Sequence, residues 1–261
     1  VLGPLGVNLS LVSSAIQMAG MVAMAFLFSI LGGAVKRVYF RIWTRAFLSM
    51  AVALVALEGA FHFPPGRWGL ECIYYLGEYG FAYWLFLGFT AYSKREEKIP
   101  PIPRLGMAGA VLLACSLASL YGDFTLRYPI HALLLAAGLA VSLPQAWRLR
   151  LHQEAVQVRF LATLAVGLLA LNFFAHGAFM LWLQKTGATA GTGYSAYQSI
   201  GDLFFEVLVA FSLVTLATVD VRRSLEAANQ IMQGERDRLA MLAQTDALTG
   251  CFNRRALDEL T

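Results

Sequence analysis

Long apolar runs alternate with short polar breaks along nearly the whole chain. A helix needs about 20 mostly apolar residues to cross a bilayer. Seven runs approach or exceed that length, at residues 11–34, 43–63, 68–92, 105–121, 129–147, 160–183 and 200–219. The breaks have turn and loop chemistry. Pro64-Pro65-Gly66-Arg67 closes the second run, and the charged, proline-rich stretch from Lys94 to Arg104 closes the third. Gly122-Asp123 divides the fourth from the fifth, and a Gly/Thr-rich stretch over 186–193 precedes the last. The pattern predicts an all-α, seven-transmembrane helix bundle over residues 1–219, with Pro144 as a kink in the fifth span.

Composition agrees with that reading. Of 261 residues, 58% are hydrophobic and 14% charged. A soluble domain carries about 45–50% apolar and about 25% charged residues, so a cytosolic enzyme, a secreted scaffold and a disordered tail are all excluded classes. Three scattered cysteines, Cys72, Cys115 and Cys251, do not make a disulfide framework or a clustered zinc site. The positive charges give a direction. The first, third and fifth loops and the end of the last span hold thirteen Lys and Arg residues, whereas the even loops hold one each, Arg67, Arg127 and Lys185. The positive-inside rule then places the N-terminus outside and the C-terminus in the cytoplasm, as in a multi-pass protein of a bacterial inner membrane. A wrong span count would scramble the alternation. The first run is too long for a signal peptide and lacks a basic n-region. The chain starts at Val1 rather than Met, which suggests that something preceded it.

Beyond the last span the helical pattern continues into a polar region. Thr218, Val221, Leu225, Ala228, Met232, Glu235, Leu239 and Leu242 fall at alternating spacings of three and four. That is a heptad seam, the spacing of a parallel coiled coil, and it predicts a signalling helix over 220–244 that pairs two chains. Val221, Leu225, Ala228, Met232, Leu239 and Leu242 are its apolar contacts. One amphipathic helix lying on another surface is the plainer alternative. Gly234 and Glu235 weaken the seam, which suits a linker that must switch.

The last stretch reads Thr245-Asp246-Ala247-Leu248-Thr249-Gly250-Cys251-Phe252-Asn253-Arg254-Arg255. Thr249-Gly250 marks a turn, and Asn253 is a helix N-cap. The run resembles the opening segment of GGDEF domains, the catalytic domains of diguanylate cyclases, with Cys251 where leucine is usual. The resemblance implies that 245–261 is the stub of a cyclase domain, in a membrane-bound diguanylate cyclase with a seven-helix sensory region. Such enzymes join two GTP molecules into cyclic di-GMP with Mg²⁺, one GTP on each domain of a homodimer. The family's catalytic residues lie further along its chain, so no residue here receives a catalytic role.

Ionisable groups inside spans are costly and mark functional sites by default. Glu58, His62, Glu71, Glu78, His131, His176, Asp202 and Glu206 all fall in the outer halves of their spans. Seven of them, Glu58, His62, Glu78, His131, His176, Asp202 and Glu206, are the candidate ligand-binding residues. Tyr74, Tyr75, Tyr79, Trp84, Phe173 and Phe174 would be the walls of such a pocket. Three readings stand side by side: polar packing within the bundle, a receptor pocket for a small-molecule or ion signal, and a metal or haem site. His62, His131 and His176 with a carboxylate would suit zinc, and two facing histidines would suit haem. Protonation sensing is compatible with all three. The rival functions are a transporter with an appended regulatory domain and a membrane metalloenzyme. The basic inner loops contact lipid headgroups and are not a nucleic-acid surface.

Overall fold

The computed structural model describes residues 4–96, 98–101, 103–119, 124–149, 156–188 and 194–245. Every long element in it is an α-helix: α1 Pro4–Val35, α2 Val38–His62, α3 Arg67–Lys94, α4 Arg104–Ser119, α5 Phe124–Ala140, α6 Leu143–Trp147, α7 Val156–Thr186 and α8 Tyr194–Gln244. Among the described residues, five helices are long and apolar enough to cross a membrane, over Leu11–Val35, Val38–His62, Arg127–Trp147, Val156–Thr186 and Tyr197–Gln244. Helix α4 is apolar but has only 16 residues. Helix α3 has 28 and carries two glutamates, both buried. Large apolar side chains such as Phe26, Val55, Leu112, Phe160, Leu171 and Phe211 stand on the surface. A water-facing protein does not expose so much apolar area; these are lipid-facing positions, and the chain is a membrane protein.

Two compact units divide the chain, Val1–Val214 and Thr215–Thr261. In the first, α2 and α3 form a hairpin closed by a 3₁₀ turn at Pro64–Gly66. Small residues let the two backbones approach. A Cβ on Gly77 would stand 2.7 Å from the Ser49 carbonyl oxygen and 2.7 Å from the Ala53 Cβ. A Cβ on Gly88 would meet the indole of Trp43. Gly32 approaches Phe40, whereas Gly33 faces open space. Aromatic rings lock the far end of the hairpin. Phe28 packs on Phe40, Trp43 and Phe47, and Tyr39 on Trp43 and Tyr92. These rings explain why α2 begins at Val38 rather than at Trp43. The break after α1 is only Lys36 and Arg37, and Arg41 and Arg45 lie on the helix.

The apolar run over 129–147 does more than kink. Helix α5 stops at Ala140 and α6 restarts at Leu143 with Pro144 in its first turn. Proline has no N–H to offer the Ala140 carbonyl, and its ring clashes with that residue. The turn closes instead through Ser142 N–H to the Leu139 carbonyl at 2.9 Å. Arg159, expected in a loop, lies on α7 with its guanidinium 4.9 Å from the Trp147 ring centroid.

The second unit contains the C-terminal part of α8. Every residue from Ser224 to Gln244 is exposed, including Leu225, Met232, Leu239 and Leu242 of the seam. Ile231 and Met241 are exposed apolar residues off that seam. The GGDEF-like segment from Asp246 onward lies outside the described residues.

Candidate functional site

Polar side chains gather on one face each of α3, α5, α7 and α8. The helical period explains why they converge: residues three or four apart share a face. On α8 the stripe is Tyr194, Gln198, Asp202 and Glu206, each four residues from the next. Glu71, Tyr75 and Glu78 make the stripe on α3, Arg127 and His131 that on α5, and Asn172 and His176 that on α7.

His131 sits at the centre. It is fully buried, with its Nε2 2.6 Å from Glu78 Oε2 and its Nδ1 3.0 Å from the Tyr79 hydroxyl. With Glu78 as the accepting carboxylate, Nε2 carries the hydrogen and Tyr79 donates to Nδ1. The rings of Tyr74, Tyr75 and Tyr79 stand 5.1, 4.6 and 5.2 Å from the imidazole. Tyr128 completes the cage at 6.3 Å, and its hydroxyl accepts from the Gln198 amide. The Tyr75 hydroxyl is buried and has no hydrogen-bond partner among the described residues.

Next to this cage lie two further carboxylates. Asn172 donates to Asp202 Oδ1 at 2.5 Å, and His176 Nε2 is 3.6 Å from the same oxygen, too long for a hydrogen bond. The other nitrogen of His176 meets the Tyr194 hydroxyl at 2.8 Å. Glu206 is fully buried and accepts from the amide of Gln17 on α1, at 3.2 and 3.4 Å. It lies within electrostatic reach of both Asp202 and Glu78. Three acids thus share one low-dielectric region with hydroxyl, amide and imidazole partners.

A second polar cluster is built differently. Arg127 grips Glu71 with both terminal nitrogens, at 2.6 and 3.1 Å. Arg67 adds a 2.8 Å contact to the same carboxylate, and Arg127 also donates to the Ala118 carbonyl at 2.7 Å. Arg127 was expected in a loop. Its spacing of four residues from His131 is the signal that would have put it on the helix.

Several expected site residues take other places. Glu58 and His62 interact with each other at a helix end: His62 Nδ1 is 2.9 Å from the Glu58 carbonyl and 3.5 Å from Glu58 Oε1, and the imidazole is exposed. His62, His131 and His176 are the histidines expected to suit a metal. The three imidazoles take separate partners, and among the described residues no group of three His, Cys, Asp or Glu is arranged to hold a metal ion. Both nitrogens of His131 are engaged by protein groups. Among the aromatic walls, Tyr74, Tyr75 and Tyr79 do line the site, but Phe174 faces outward and Trp84 packs under the Arg45 guanidinium. The residues missed are Gln17, Tyr128, Tyr194 and Gln198. They are uncharged, so a search for ionisable groups passes over them. The fourfold spacing of Tyr194 and Gln198 with Asp202 was the available signal.

Compared with known proteins, the chain matches no family model, no curated protein and no solved structure.

Proposed function

We propose that the chain is the membrane sensor of a diguanylate cyclase. Asp202 and Glu206 would be the receiving end and α8 the transmitting element. The observation that carries the reading is that one helix, 51 residues long, bears both the buried acids and the heptad seam. A crossing takes about 20 residues, so the helix has ample length to leave the lipid on the inner side. It ends at Gln244, two residues before the GGDEF-like Asp246.

The seven-span topology, N-terminus outside, belongs to the same proposal. Helix α3 packs along α2, and Glu71 and Glu78 are buried rather than lipid-facing. That supports a crossing in spite of its acids. The loop charges support the direction. In this topology the Glu78, His131, Asp202 and Glu206 cluster sits in the outer half of the bilayer and takes an extracytoplasmic or membrane-borne cue, a small molecule or an ion. The half-buried Val221 and the exposed seam residues Leu225, Ala228, Met232, Leu239 and Leu242 would pair with a second copy, bringing two GTP-loaded domains together. The inner halves of the spans carry almost no charge, which disfavours a transport path.

The test is a phase scan. One to four alanines are inserted after Ala227 in the parent protein, and cyclic di-GMP is measured in a host that lacks other cyclases. The expected output rises and falls with the helical period of about 3.6 residues. An output that ignores the number inserted would overturn the reading.

A further inference from the structure

The two cysteines of the membrane unit lie together. Cys72 on α3 and Cys115 on α4 are free thiols, with their sulfurs 3.8 Å apart and Cys72 donating to Cys115. Neither has a role in the polar cluster. They sit in a small apolar cluster with Ala56, Tyr75, Ala114 and Leu117. Polar contacts hold the same ends of the two helices in register. The Trp68 indole donates to the Ser119 hydroxyl at 2.9 Å, and that hydroxyl donates to the Cys115 carbonyl at 2.7 Å. Arg127 ties Glu71, the residue before Cys72, to the Ala118 carbonyl, three residues after Cys115.

We infer that Cys72 and Cys115 form an intramolecular disulfide, a reversible modification site that staples α3 to α4. A disulfide needs sulfurs about 2.05 Å apart, and side-chain rotation has to close the remaining gap. Cys115 is the partly exposed thiol and Cys72 the buried one. Cys72 is five residues from Arg67, about 7.5 Å along the axis at 1.5 Å per residue, so the pair lies near a helix end rather than deep in the bundle. The oxidant is a small dialkyl disulfide. The Cys115 thiolate attacks one of its sulfurs, a mixed disulfide forms and one alkyl thiolate leaves. The Cys72 thiolate then attacks the Cys115 sulfur and expels the second. Two protons pass from the cysteines to the two released thiols. The protein loses two electrons, and the small disulfide gains them.

The proposal does not depend on the cyclase reading. Membranes carrying the chain are treated with oxidised glutathione, denatured, and labelled with a maleimide-polyethylene glycol that adds visible mass to each free thiol. The sequence has three cysteines. Labelling of the wild type falls from three adducts to one, held by Cys251, and dithiothreitol restores three. C115S keeps both of its remaining adducts, whereas C72S holds Cys115 as the unresolved mixed disulfide with glutathione and falls to one adduct. Three adducts on the oxidised wild type would overturn the inference. So would C115S falling below two, because the bond would then involve Cys251. A linked peptide pair containing Cys72 and Cys115 in a non-reducing digest supports the bond without any variant.

Discussion

Two acidic clusters lie within the membrane unit and solve the same problem in opposite ways. Glu71 is held by Arg127 with two nitrogens and by Arg67 with a third, and so has charge partners on two sides. Glu206 takes the Gln17 amide, and Asp202 the Asn172 and Gln198 amides with an imidazole beyond hydrogen-bond length, so neither has an arginine partner among these contacts. Removing charge from water costs several kcal/mol per ion even after relaxation, and only good geometry with an opposite charge offsets it. The first cluster is therefore a closed structural clamp between α3 and α5. The second holds its carboxylates at an energetic disadvantage that packing alone does not require. That difference separates a residue that keeps the bundle together from one placed to respond.

The contrast can be broken most severely at the clamp. Arg127→Ala leaves Glu71 buried with only the partly exposed Arg67, and is expected to cost about 3–5 kcal/mol, read as a large drop in thermal unfolding temperature in detergent. Replacing both partners, Glu71→Leu with Arg127→Met, is expected to recover most of that loss, since an apolar pair of similar volume is often neutral or better. A double variant as unstable as Arg127→Ala would show that the clamp is not an isolated pair. His131→Phe keeps a ring in the tyrosine cage but takes one hydrogen-bond partner from each of Glu78 and Tyr79. The expected cost is about 1–3 kcal/mol for the unsatisfied groups, by the same measurement. Asp202→Asn and Glu206→Gln should stay within about 1 kcal/mol of the wild type, because each retains an acceptor for its amide partner. At the small end, Arg222→Ala removes an exposed pair with Glu226 on α8 and should cost about 0.3–0.5 kcal/mol.

Much of this was readable from the chain because membrane helices announce themselves by length. The apolar runs at 11–34, 160–183 and 200–219 coincide with α1, α7 and α8, and the continuation of the last run past Val219 is part of one helix. Boundaries near aromatic clusters were not readable. The start of α2 depends on Tyr39 and Phe40 meeting Phe28 and Tyr92, contacts that exist only after folding. Pro144 announced a distortion but not its size, which is set by where the next carbonyl finds a donor. The site was half legible. The ionisable members Glu78, His131, His176, Asp202 and Glu206 stand out in apolar surroundings, but Glu58 and His62 looked equivalent and are not. Helical spacing shows which residues share a face. It does not show which way that face turns.

The most direct test of the account is the cyclic di-GMP output of the parent protein carrying Asp202→Asn and Glu206→Gln together, measured in membranes beside the wild type and Arg222→Ala. Allosteric couplings between sites are typically 1–3 kcal/mol, so the double variant should shift output by at least about fivefold in either direction, with its unfolding temperature and the Arg222→Ala output unchanged. A folded double variant that makes cyclic di-GMP at the wild-type rate under every condition would contradict the claim that these acids feed the signal into α8.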